Sequence, residues 1–154
     1  MAFEDEETVG RRRVPSSGDA RIASMLPVRY RAPQLLDEGG MGLVVIADDT
    51  RTRRHVALKR LKDEFVERED LRVRFLREAH IQARLEHPGV VPVYDIAEDR
   101  QGAPFFAMKK IGGLTLHSIL QRIHEGDRVL AARFPLRRRI EILENVCQTI
   151  LFAH

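Results

Sequence analysis

The spacing of apolar and polar residues changes period along the chain, and each change predicts an element. Leu35 and Leu36 end a short apolar run, and Asp37-Glu38-Gly39-Gly40-Met41-Gly42 breaks it. Residues 43–47 are largely β-branched and predict a strand; residues 48–54 are a polar turn; residues 55–61 alternate and predict another strand. The chain therefore opens in three antiparallel strands with a glycine-rich turn between the first two. Residues 69–85 predict a helix with Asp70 as its N-cap. At about 100° per residue, Leu71, Phe75, Glu78, Gln82 and Leu85 share an arc of about 80°. Pro88-Gly89 stops that helix, and Pro92 interrupts a strand over 90–96, which marks it as an edge or bulged strand. A fifth strand covers 105–108, and Gly112-Gly113 ends it. A short helix is predicted over 116–123 with Thr115 as its cap. After a loop, Leu136, Ile140, Leu143, Cys147, Ile150 and Leu151 predict a strongly amphipathic helix running to His154.

The first 28 residues lack such a pattern. Glu4, Asp5, Glu6 and Glu7 meet Arg11, Arg12 and Arg13, and Pro15, Ser16, Ser17 and Gly18 follow. Too few large apolar residues are present to offset the ordering entropy, so residues 1–28 are expected to form a disordered tail. Residues 29–113 are expected to form one folding unit and 114–154 the start of a second, incomplete one. No internal repeat is present.

Composition narrows the function classes. The 154 residues are 44% hydrophobic and 32% charged, and 26 basic against 23 acidic residues leave a net charge of +3. With no strong whole-chain field, a nucleic-acid partner or a membrane surface is not expected, despite an isoelectric point near 9.4. No apolar stretch approaches the about 20 residues of a membrane span, and the acidic start is the wrong charge for a signal peptide. The single cysteine, Cys147, excludes an internal disulfide, and a reducing cytoplasmic setting is expected. Cys147 lies on an apolar helical stripe and reads as a small buried hydrophobe. His87 reads as a turn-packing residue and His80 as solvent-facing; His117 and His124 are too sparse for a metal site.

The candidate chemistry lies between residues 36 and 78. Glycines between two strands let the backbone approach a polyphosphate and point N–H groups at it, although hairpin turns also use glycine for conformation alone. Lys59 stands in a strand, where lysine is also a common edge defence. Glu78 sits in the middle of an apolar arc. Either a buried cation meets it or it lies at the margin and reaches water, and spacing leaves both open. Lys59 is the natural cation for it.

Together these features resemble the eukaryotic-like serine/threonine protein kinases, the bacterial ones in particular. The family's loop G-x-G-x-x-G-x-V matches 37–44, with Gly39, Gly42 and Val44 in place and Asp37 replacing the first glycine. Val56-Ala57-Leu58-Lys59 matches V-A-I-K. Phe75-Leu76-Arg77-Glu78-Ala79 resembles the third-helix segment, and His87-Pro88-Gly89-Val90-Val91 the turn before the fourth strand. Residues 105–113 resemble the fifth strand and the hinge.

The resemblance covers residues 30–154 and implies an α+β fold: a kinase N-lobe of five antiparallel strands plus one helix, then two helices of an incomplete C-lobe. It implies Lys59 and Glu78 as the ion pair that positions phosphates. It implies an ATP site of Leu36, Gly39, Gly40, Gly42, Val44, Ala57, Lys59, the gatekeeper Met108, and the hinge backbone from Lys109 to Ile111. The family's H-R-D-x-x-x-x-N and D-F-G segments have no match in these 154 residues. The expected function is thus the ATP-binding part of a kinase that phosphorylates protein Ser/Thr, truncated before the catalytic loop and inactive alone. Weak ATP binding is expected, with Mg2+ only in a complete kinase and no metal site in this chain. Asp37 adds a Cβ and a negative charge beside the polyphosphate. The alternative is a regulatory module that binds a partner kinase. A small nucleic-acid binder is the remaining class, and it would be indifferent to Lys59.

Overall fold

Strands β1 (Tyr30–Glu38), β2 (Gly42–Asp49), β3 (Arg54–Leu61), β4 (Val93–Glu98) and β5 (Pro104–Lys109) form one antiparallel sheet in the order β1-β2-β3-β5-β4. The computed structural model describes residues 17–154. The expected five-stranded antiparallel sheet and α+β class are found. The helices are α1 (Ser17–Met25), α2 (Glu69–Arg84), α3 (Leu116–His124), α4 (Arg128–Arg133) and α5 (Leu136–Ala153).

The alternation along β2 and β3 splits the sheet into two buried faces. One carries Tyr30, Val45, Ala47, Val56, Leu58, Phe105 and Ala107, and Ile22 and Leu26 cover it. Tyr30 and Phe105 meet edge-on, with ring centroids 5.6 Å apart. The other face carries Leu61 and Phe106 against Phe75 and Ala79 of α2. Phe105 and Phe106 are adjacent, so the pleat sends one ring into each core.

Helix α1 corrects the expectation of a tail through residue 28. Ile22, Met25 and Leu26 recur at helical spacing and are all buried. Each such side chain contributes about 1.5–3 kcal/mol when buried. Asp19 is also buried, and its Oδ1 accepts from the Leu35 N–H at 2.9 Å. The Arg100 N–H donates to the Met25 carbonyl at 3.0 Å, which ties the helix end to the β4–β5 turn. The stripe is only three residues long, and the Arg, Ser and Gly residues around it hide it in an averaged composition. Residues 1–16, including both charge blocks, lie outside the described residues.

The β3–β5 pairing is braced by charge. Arg60 is 1% exposed, and its Nε donates to Asp99 Oδ2 at 2.6 Å. Asp99 Oδ1 accepts from the Gln101 and Ala103 N–H groups at 2.8 and 3.0 Å. That turn is closed by Gly102 at φ 80°, a left-handed conformation open to glycine. At the sheet's far end, Arg29 grips Asp49 through Nε and Nη2, both at 2.7 Å, and reaches Asp95 through Nη1 at 2.5 Å.

The chain divides into two compact units. One runs to Glu86 and includes Val91–Ile111; the other comprises His87–Val90 and Gly112–His154. In the second unit Thr115 caps α3 by accepting from the Ser118 N–H at 3.1 Å. Helix α4 stands where a loop was expected, capped by Asp127, whose Oδ1 accepts from the Leu130 N–H at 2.9 Å. The second unit therefore has three helices rather than two, and the first has two rather than one. His87 acts as the expected turn residue: its Nδ1 accepts from the Gly89 N–H at 3.0 Å, and its ring lies 5.0 Å from Phe152. A Cβ on Gly89 would come within 2.1 Å of Thr149 Oγ1, so only glycine fits. Helix α5 has the predicted periodicity but no buried residue, and Cys147 on it is exposed rather than buried.

Candidate functional site

Helix α2 starts at Glu69 as the pattern predicted, but its cap is not Asp70. Arg68 is its N-cap, without a side-chain cap. Asp70 lies inside the first turn and pairs with Arg68 at 3.0 Å instead of capping. An acidic residue there still suits the helix dipole. Phe75 and Ala79 anchor the helix to the sheet, and Phe75 stacks obliquely on Phe106 at 5.4 Å. Gln82 of the same arc donates from Nε2 to the Val91 carbonyl at 2.8 Å.

This docking brings Glu78 to Lys59. Lys59 Nζ forms an ion pair and hydrogen bond with Glu78 Oε1. The Lys59 side chain is 26% exposed and that of Glu78 44%. Both readings left open by the spacing are thus partly met: a cation faces Glu78, and the carboxylate reaches the surface. Lys59 Nζ lies 6.0 and 5.8 Å from the ring centroids of Phe75 and Phe106, so aromatic faces line the ammonium.

The sheet register sets the rest. Val44 lies opposite Lys59, and Ala57 lies opposite both Ile46 and Met108. Directly opposed residues share a face. Val44, Ala57, Lys59 and Met108 therefore stand together on the α2 side of the sheet, with Lys59 and Met108 bordering the cluster that α2 forms there. Ile46 belongs to the same patch and was not singled out from sequence, although a count of two from Val44 along β2 would have found it. Ala57 is buried and Val44, Ile46 and Met108 are half-buried. The patch is apolar, and all of it but Ala57 is partly exposed.

The loop between β1 and β2 is held by a hydrogen bond from the Gly39 N–H to the Gly42 carbonyl at 2.9 Å. The three glycines are not equivalent. A Cβ on Gly42 would lie 3.0 Å from the Arg60 carbonyl and 3.7 Å from Phe75, whereas one on Gly40 would meet nothing within 4 Å. Gly42 is required by packing; Gly39 and Gly40 leave the loop's outer surface free of side chains. Leu36 stands at a bulge in β1 and is exposed. At the other end of the patch, the Lys109 N–H donates to the Pro92 carbonyl at 3.1 Å, and Ile111 is exposed. A hollow of about 390 Å³ along α2 is lined by Arg74, Arg77, Glu78, Ile81, Gln82 and Leu85; it includes neither Lys59 nor the loop.

No family model matches the chain. It is 37% identical over 129 residues to the serine/threonine-protein kinase PknD of Chlamydia trachomatis, covering 82% of this chain and 14% of that protein. Against PknD of Chlamydia caviae the identity is 38%, with the same coverage. The chain thus spans about one seventh of the length of these relatives. Among solved structures, the kinase domain of PknI from Mycobacterium tuberculosis superposes with a TM-score of 0.57 at 25% identity, covering 82% of this chain and 49% of that one. Its C20A_R136A double mutant gives 0.58 and 26%.

Proposed function

We propose that this chain, whose sequence and fold are those of the N-terminal lobe of a bacterial eukaryotic-like serine/threonine protein kinase, binds ATP on the patch bounded by the glycine loop and Lys59. The observation that carries the reading is the Lys59–Glu78 pair beside a partly exposed apolar face. Adenine is flat and apolar, and Val44, Ala57 and Met108, with Leu36 at the loop, offer it a surface. Because the Lys109 N–H is taken by Pro92, the hinge's offer to the base falls to the Lys109 carbonyl and the Ile111 backbone. Gly39, Gly40 and Gly42 cover the phosphates, and the Lys59 ammonium binds their oxygens. Glu78 acts through Lys59: it holds the ammonium by charge and hydrogen bond.

Joined to a full C-lobe, such a lobe would serve phosphoryl transfer to protein Ser/Thr in the cytoplasm. The 154 residues alone bind nucleotide without transferring phosphate, since none of them matches the family's catalytic aspartate or metal-binding segment. Among the described residues no three His, Cys, Asp or Glu side chains gather into a metal site. No helix among the described residues is long and apolar enough to cross a membrane. A second reading, a regulatory module acting on a partner kinase, is favoured by one observation, Asp37 at the loop's first glycine position.

Calorimetric titration of ATP into the wild type, Lys59→Ala, Glu78→Ala and the double variant tests the proposal. Both single changes weaken binding, and the double is no worse than Lys59→Ala, because Glu78 has nothing left to position. Equal affinity in all four proteins refutes the pairing around a nucleotide.

A further inference from the structure

Asp37 replaces a glycine, and the sheet register places it. Asp37 on β1, Val44 on β2, Lys59 on β3 and Phe106 on β5 lie directly opposite one another in one row across the sheet. With strands about 4.8 Å apart, two spacings separate the backbones of Asp37 and Lys59 by about 10 Å. Opposed residues share a face, so a carboxylate and an ammonium bracket Val44 on the face assigned above to the nucleotide. Glu38, one residue on, lies opposite Leu43 in the neighbouring row and pairs with Lys62 at 2.8 Å. The two adjacent carboxylates therefore have different surroundings, and it is Asp37 that stands in the ligand row.

Its carboxylate is also held at the entrance to the loop. Asp37 Oδ1 accepts from the Glu38 N–H at 2.8 Å, and Glu38 is the last residue of β1 before the glycines. From there an anion opposes a phosphate chain by charge and leaves an uncharged nucleoside unopposed.

We propose that Asp37 is a specificity-determining residue that sets the charge of ligand the cleft accepts, disfavouring nucleoside triphosphates relative to adenine ligands with few or no phosphates. The inference rests on the nucleotide reading above. Its signature is a dependence on ligand charge that a packing effect of the same residue does not produce.

The test is calorimetric titration of the full chain with adenosine, AMP and magnesium-free ATP, for the wild type, Asp37→Asn and Asp37→Gly. Asparagine keeps the size and the acceptor for the Glu38 N–H and removes only the charge; glycine also frees the amide. Asp37 is exposed, so both variants are expected to fold, and far-UV circular dichroism verifies it. For Asp37→Asn the expected gain is none for adenosine, about two- to threefold for AMP and about tenfold for ATP, shrinking as added salt shortens the Debye length from about 30 Å to below 10 Å. Asp37→Gly follows the same order of ligands. An equal change for all three ligands, no change, or a gain indifferent to salt overturns the inference while adenosine binding leaves the nucleotide reading standing. No binding of any ligand by any of the three proteins overturns both.

Discussion

Removing the carboxylate of Asp99 tests how the sheet is held in register behind Lys59. Asp99 lies 39 residues from Arg60, and in the folded chain the two side chains are 0% and 1% exposed. Asp99→Ala strips a buried cation of its main counter-charge and leaves the Gln101 and Ala103 N–H groups without their acceptor. Breaking one side of a buried pair typically costs about 3–5 kcal/mol. Two features hold the expected loss near the lower bound. Arg60 Nη1 keeps Asp63 at 2.7 Å and the Leu61 carbonyl at 3.0 Å, and of the two turn residues Gln101 is exposed, so its amide can reach water. A loss of about 3 kcal/mol is a large part of the about 5–15 kcal/mol that holds a domain folded. Asp99→Asn keeps an acceptor for the turn and loses only charge, so it costs less. The double change Arg60→Met with Asp99→Asn removes the buried cation too and is expected to recover most of the deficit, since an apolar replacement of similar shape avoids its desolvation. The chain has no tryptophan, so urea unfolding is followed by far-UV circular dichroism, with stability extrapolated linearly. A loss below about 1 kcal/mol for Asp99→Ala, or a double variant no more stable than Asp99→Ala, refutes the account of a buried pair that needs both members.

Two further outcomes follow from the face that α1 covers. Burial pushes the Tyr30 hydroxyl up to about 12, and its oxygen has no hydrogen-bond partner among the described residues. The folded chain therefore holds that proton more tightly than the unfolded one, whose tyrosine titrates near 10. Stability is complete below about pH 10 and falls as pH rises towards 12; Tyr30→Phe flattens this fall in pH-dependent urea melts and costs little at pH 7, and an unchanged alkaline slope in that variant refutes the assignment. Asp19→Ala removes the acceptor for the Leu35 N–H and is expected to cost about 1–3 kcal/mol. Hydrogen exchange at Leu35 should rise well above that of the central strand β3, and unchanged protection there means that α1 does not brace β1.

Much of the fold is written in local periods. Alternation along β2 and β3 requires only neighbouring residues, as do the glycine break, the Thr115 cap and the four-three spacing of α5, so these elements are legible in the sequence. The motif order around Lys59 and Glu78 likewise needs only linear distance. What local patterning cannot carry is the identity of whatever lies opposite. The stripe of Ile22, Met25 and Leu26 on and just after α1 is too short to stand out until a sheet face is there to receive it. Asp70 sits one position inside its helix because the helix start is set by docking as well as by its best capping residue. Cys147 shares a stripe with Leu143 and Ile150, yet a stripe states only which residues face the same way, and in the structure that face is exposed. The same limit applies to charge. Spacing left Glu78 between a buried partner and a snorkelling margin, and only the packing of Phe75 and Ala79 brought it to Lys59. Strand order β3-β5, set by tertiary pairing, puts Arg60 against Asp99. The cross-sheet register puts Asp37 in the row of Lys59. Periodicity is a property of the backbone and its nearest neighbours, and the sequence determines it alone; partnership between residues far apart depends on which surfaces the chain can bury together, and only the tertiary structure decides that.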